Sequence, residues 1–128
     1  MGKKYLLDSN VIIGYLAGKI PHNGMEIISE MVDMIPNISV ISQIELSRFN
    51  DTPENEATLD RFIITSVIYP LSDNVVKYTI ELCKQNKIKL PDAIITATAL
   101  TEGFTLVTRN ISDFNKISNL KLLDPFTL

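Results

Sequence analysis

At 128 residues, 45% hydrophobic and 21% charged, the chain has the size and balance of one domain, able to bury roughly two-thirds of its unfolded surface without staples. A net charge of −3 argues against a protein whose main task is to grip nucleic acid by its phosphates, though not against a nuclease whose acids are neutralised by metal. The one cysteine excludes an internal disulfide, and no apolar run approaches the roughly 18 residues of a membrane span.

In chain order, short apolar runs alternate with amphipathic ones. Lys4–Leu7 predicts a buried strand, and Ser9–Ala17 a helix ended by Gly18. Gly24–Met34 predicts a second helix, stopped before Pro36, with His22 on the preceding loop as a solvated residue. Ile38–Ile41 predicts a strand and Ser42–Phe49 a helix. The turn "NDTPENE" leads into a helix through Ile64. Val67–Tyr69 predicts a strand ending at Pro70, Asn74–Gln85 and Pro91–Glu102 predict helices, and Thr105–Val107 and Leu120–Leu123 predict strands. Cys83, inside "TIELCKQN", reads as a small, partly buried apolar residue. All-apolar strands alternating with helices imply a parallel sheet covered on both faces, with the working site at the carboxyl ends of its strands.

The N-terminal "MGKK" followed by apolar residues imitates a secretory leader. Asp8, Ser9 and Asn10 break the run, no small-residue cleavage site follows, and Leu6 stands where a myristoylation signal needs Ser or Thr. A cytoplasmic, reducing location is the expectation.

The acids fall in a pattern. Asp8 directly follows the first strand, Glu45 lies one turn into the helix after the second, and Asp113 follows the strand "TLV". Asp92, in the first turn of "PDAIITATAL", is returned towards the same edge by the extended "NKIKL". Each acid also has a plain structural explanation. Asp8 or Ser9 can cap a helix, Ser42-x-x-Glu45 fits a capping box, Asp92 after Pro91 suits a helix dipole, and Asp113 suits a surface turn. Caps explain each acid singly but not their convergence. Two like charges about 4 Å apart cost on the order of 4 kcal/mol at an effective dielectric near 20. A hard divalent cation, Mg²⁺ or Mn²⁺, would offset that cost on an all-carboxylate site.

Four segments, "YLLDSNVII", "ISQIEL", "IKLPDAIITATAL" and "LVTRNISDF", resemble in order and spacing the PIN domains, and in particular the VapC-like toxins of type II toxin–antitoxin systems. The resemblance spans nearly the whole chain, to the closing "LKLLDP", and implies a single PIN domain over residues 1–128. The implied fold is α/β, a three-layer α/β/α PIN-like arrangement with a central, mainly parallel sheet of four or five short strands. The implied activity is a Mg²⁺- or Mn²⁺-dependent endoribonuclease that hydrolyses RNA by metal-activated water, leaving a 5′-phosphate and a 3′-hydroxyl. By the same resemblance Asp8, Glu45 and Asp92 are catalytic metal ligands and Asp113 is the fourth. Asn110 stands where many relatives carry an acid, as a polar neighbour or a ligand through water. Ser9, Asn10 and Thr108 are supporting polar residues. Relatives often have Arg where Lys84 stands, and Lys lacks the planar fork for carboxylate or phosphate.

Substrate binding needs positive charge around such a centre. Arg109, Lys84, Lys87 and Lys89 are the candidates, with a solvated surface face as the alternative for the lysines. Phe49, Phe62, Phe104 and Phe114 fit a core or an interface equally well. The implied partners are RNA, a small cognate antitoxin and a second copy of the chain. A receiver domain or a dehalogenase-like phosphatase would want a second acid in "LLDSNV". A PIN nuclease of RNA maturation or decay without antitoxin, or a non-catalytic PIN-like RNA-binding or assembly module, is the alternative within the family.

Overall fold

A computed structural model describes residues 4–128. The leader and myristoylation readings rest partly on residues 1–3, which lie outside the described residues. Among the latter, one sheet contains β1 (Tyr5–Leu7), β2 (Asn37–Ser39), β3 (Val67–Tyr69), β4 (Thr105–Val107) and β5 (Leu122–Leu123). Parallel strands cannot be joined by tight turns. The connections here carry α1 (Ser9–Leu16), α2 (His22–Asp33), α3 (Val40–Ser47), α4 (Pro53–Thr65), α5 (Asp73–Gln85), α6 (Leu90–Glu102) and the short α7 (Ile111–Phe114).

Successive side chains on a strand face opposite ways, and here both faces are covered. Leu6 and Leu106 pack with Ile95, Phe104 and Phe114; Leu7 and Val107 pack with Val11, Ile12, Ile28 and Leu46. Double burial is why these strands read as unbroken apolar runs. It also produces the expected three-layer α/β/α arrangement.

The strand order is β3-β2-β1-β4-β5, and every pairing is parallel. The chain works outward from β1 through β2 to β3, then adds β4 and β5 on the other side. That reversal opens a crevice at the carboxyl ends of β1 and β4.

Several boundaries move from their sequence-based positions. The second strand ends at Ser39 rather than Ile41, because the Ser39 hydroxyl accepts the Ser42 N–H (3.2 Å) and starts α3 at Val40. Val40 and Ile41 favour strands by their branching, but the cap and the half-buried packing of this turn decide. The capping box at Ser42 is therefore not formed, and Glu45 is left for other contacts. His22 opens α2 instead of lying on a loop; it is highly exposed and pairs with Glu26 at 3.0 Å. Helix α6 starts at Leu90, which moves Pro91 to its second position and Asp92 to its third. The last strand begins at Leu122, not Leu120. Cys83 is exposed. The buried stripe of α5 runs Val75, Thr79, Leu82, and the next residue is turned about 100° away from it.

The C-terminal segment docks where two helices lack side chains. A Cβ on Gly24 of α2 would lie 1.7 Å from the Pro125 carbonyl oxygen, and one on Gly14 of α1 would lie 2.8 Å from Phe126 Cζ. The first obstacle is backbone and cannot swing aside. Gly24→Ala is expected to destabilise the fold by about 3 kcal/mol, the upper part of the overpacking range, read as a lower midpoint in urea unfolding. An unchanged midpoint would show that this segment is not seated on α2.

Candidate active site

Asp8 closes β1. Its N–H continues the parallel ladder to the Val107 carbonyl (3.0 Å), and its backbone then turns into α1 as the N-cap. The side chain is buried. Oδ1 accepts the Ser9 N–H at 2.8 Å, and Oδ2 accepts the Thr108 hydroxyl at 2.9 Å. Thr108 follows β4 and is fully buried; its Oγ1 also accepts the Asn110 N–H at 3.1 Å. The crevice at the order reversal is thus spanned by a bond between the residue after β1 and the residue after β4.

Glu45 reaches the same place from α3. Its Oε1 accepts the Ser9 hydroxyl at 3.0 Å. Asp92 enters from the first turn of α6 and Asp113 from α7. Burial pushes the Asp8 carboxyl up to about 6, against the pull of the Thr108 and Ser9 hydrogen bonds, and the charges of Glu45 and Asp92 push the same way. Asp92 is also raised, by burial first and then by Asp113 and Glu45, with Lys89 opposing. Asp92 is thus the link in the set, since it lies within the fields of both Glu45 and Asp113 and acts on Asp8. Among the described residues the only basic and acidic side chains paired within 4.0 Å are His22 and Glu26, so none of the four acids has such a partner.

The carboxylates do not close on a single point. Among the described residues no three His, Cys, Asp or Glu side chains form a cage for a metal ion. Ser9 ties Glu45, the Ser9 N–H and Thr108 tie Asp8, and Asp113 is exposed. The donor set is nonetheless oxygen only, the set that Mg²⁺ and Mn²⁺ take. Two buried hydroxyls without a partner, Ser42 Oγ and Thr96 Oγ1, sit one helical turn from Glu45 and Asp92.

Beside Asp92 and Asp113 lies a cleft of about 380 Å³, rimmed by Lys87, Lys89, Ser112 and Lys116. Lys116 donates from Nζ to the Lys87 carbonyl at 2.7 Å. It was not among the residues the sequence singled out; only its place three residues after Asp113 could have suggested it. Lys84, by contrast, lies exposed in the last turn of α5 and does not line the cleft. Asn10 and Asn110 are exposed at the crevice mouth, in α1 and at the start of α7. The Arg109 guanidinium lies over the Phe126 ring, 4.4 Å from its centroid. Of the other phenylalanines, Phe62, Phe104 and Phe114 are core, and Phe49 is partly exposed.

A larger cavity, about 420 Å³, is lined by Tyr5, Met31, Met34, Asn37, Val67 and Tyr69 among others. It carries Glu30 as its one acid and none of the clustered carboxylates, so size does not make it the reactive site.

A doubly wound parallel domain with carboxylates at its switch point, one of them bonded to a buried threonine, is the class these observations define. Residues 5–120 match the PIN domain family, and the chain belongs to it. It is 28% identical over 128 residues to Ribonuclease VapC2 of Rickettsia felis, with 92% of this chain and 95% of that protein covered. Its fold is similar to a toxin–antitoxin complex from Klebsiella pneumoniae (TM-score 0.76, 26% identity, 98% of this chain and 100% of that one). It is also similar to VapBC2 of Rickettsia felis bound to a promoter DNA fragment (TM-score 0.75, 27% identity, 93% and 96% covered).

Proposed function

We propose that the chain is a Mg²⁺- or Mn²⁺-dependent endoribonuclease of the VapC toxin kind, one PIN domain held inactive by a small cognate antitoxin. The observation that carries this reading is the set Asp8, Glu45, Asp92 and Asp113 at the switch-point crevice, where the charges of Glu45 and Asp92 bear on Asp8 and those of Asp113 and Glu45 on Asp92, with no salt bridge to any of the four among the described residues. Repulsion of that kind costs stability and is retained where a bound cation uses it. The relative named Ribonuclease VapC2 supports RNA as the substrate, and the similar toxin–antitoxin complex supports the partner.

Asp8, Glu45, Asp92 and Asp113 would hold the metal. Bound there, it supplies activation of water and stabilisation of charge on the phosphate. The rest falls to the chain. Ser9 and Thr108 fix the Asp8 carboxylate through hydrogen bonds to each oxygen, and the Ser9 hydroxyl orients Glu45. Lys87, Lys89 and Lys116 offer an RNA backbone positive charge along the cleft. His22 pairs with Glu26 at the start of α2 and takes no part. Exposed Ile44, Ile64, Val76, Ile80 and Leu90 give apolar surface for the antitoxin and for a second copy of the chain. A cytoplasmic location accords with an RNA substrate and with the exposed, unpaired thiol of Cys83. Among the described residues no helix is long and apolar enough to cross a membrane.

The test is cleavage of total cellular RNA by protein purified under denaturing conditions, to strip any antitoxin, and refolded. Discrete fragments are expected with Mn²⁺ or Mg²⁺ and none with chelator. A refolded protein that melts cooperatively yet leaves all RNA intact with either metal would contradict the assignment.

A further inference from the structure

We infer that Phe126 is a positioning residue for RNA. Its ring holds the Arg109 guanidinium at the flank of the acidic crevice, where Arg109 takes a phosphate neighbouring the scissile one. The inference rests on the ribonuclease reading and extends it to a part of the chain that carries none of the acids.

Arg109 directly follows Thr108, whose hydroxyl is bonded to Asp8, so its backbone is anchored one residue from the site. Among the described residues it makes no salt bridge to a carboxylate, so it stands off the acids rather than neutralising them. What holds it is the face of Phe126 at 4.4 Å. A ring face attracts the guanidinium's charge without accepting its N–H donors, whereas a carboxylate partner would occupy them. Free in-plane donors are what bidentate phosphate recognition requires.

The ring is itself held. The Phe126 N–H donates to Asp124 Oδ1 at 2.9 Å, and the ring edge fills the space left by Gly14. The Pro125 carbonyl fills the space left by Gly24. A flexible side chain is thus pre-placed by a rigid one seated on two helices. Pre-placement lowers the ordering cost of binding. Lys87, Lys89 and Lys116 line the separate cleft beside Asp92 and Asp113, which Arg109 does not line. A strand crossing the acids meets positive charge in both places.

The experiment is a double-mutant cycle on metal-dependent RNA cleavage, with Phe126→Leu, Arg109→Gln and the pair. Each variant's fold is checked by its thermal melt. Either single change is expected to raise KM about three- to tenfold, with kcat within about twofold. Phe126→Leu should add nothing further in the Arg109→Gln background. Arg109→Gln should also reduce the salt slope of RNA binding by about one. If Phe126→Leu raises KM equally in both backgrounds, its role is structural and the inference is wrong. If Phe126→Leu does not fold, Arg109→Gln decides alone: an unchanged KM and salt slope overturn the inference, as does an effect confined to binding a protein partner. Wild-type protein that cuts RNA while Arg109→Gln equals it leaves the ribonuclease reading standing. Wild-type protein that does not cut overturns both.

Discussion

Asp92→Asn is expected to lower metal-dependent RNA cleavage by about three orders of magnitude while leaving the fold intact. Asp92 is half-buried in the first turn of α6, and the charges of Asp113 and Glu45 bear on it directly. The substitution keeps shape and removes one negative charge from the group proposed to hold the cation. A Lewis-acid contribution of several kcal/mol, at about 1.4 kcal/mol per tenfold, sets that scale. The melt should not fall, because the lost charge was repelled by its neighbours and Asn still suits a helix first turn. Single-turnover cleavage beside a thermal melt makes the measurement. Activity within tenfold of wild type would remove Asp92 from the centre.

The second large effect is on stability. Asp8 is 6% exposed and its carboxyl is raised from 3.8 to about 6. A raised carboxyl means that the folded state prefers the protonated form. The penalty for ionised Asp8 is complete above about pH 6, fades as pH falls towards 4, and is absent below that. In chelator, Asp8→Asn should therefore be more stable than wild type at pH 8, by about 1–3 kcal/mol. The upper figure is the whole shift converted at 1.36 kcal/mol per unit; the lower allows for an imperfect amide fit to Thr108. The gain should vanish near pH 4. Saturating Mn²⁺ should stabilise wild type, by about 2.7 kcal/mol at a hundred times Kd, and should do little for the variant. A variant less stable than wild type at pH 8 in chelator, or equally stabilised by Mn²⁺, would refute this account of Asp8.

The two explanations open for Asp8 at the level of sequence turn out not to compete. It caps α1 through the Ser9 N–H and also faces Glu45 and Asp92. A strand that must end at a reversal of sheet order, on a residue that also starts a helix, leaves a polar residue at the end of an apolar run. That is why "YLLDSN" was informative. For Glu45 the explanations did compete, and the sequence could not separate them. Ser42-x-x-Glu45 has the spacing of a capping box, and Val40-Ile41 has the branching of a strand. The Ser39 hydroxyl, by accepting the Ser42 N–H, takes the cap and frees Glu45 for Ser9.

What stayed hidden depends on contacts distant in sequence. Arg109 meets Phe126 across the last strand, and the seat of that ring depends on Gly14 and Gly24 in two other helices. No periodicity joins those positions. Lys116 reaches Lys87 through a side chain whose direction no motif specifies. Cys83 is a question of helical phase, and one residue's rotation past Leu82 takes it out of the core.

The most direct measurement of the central claim is the chemistry of the cut ends. RNA cleaved by the refolded protein in Mn²⁺ should carry a 5′-phosphate, accepted by ligase without prior phosphorylation, and a 3′-hydroxyl, with no cleavage in chelator. Ends bearing a 2′,3′-cyclic phosphate, formed equally in chelator, would mean that the RNA's own 2′-hydroxyl is the nucleophile and that the acids at the crevice do not hold a catalytic metal.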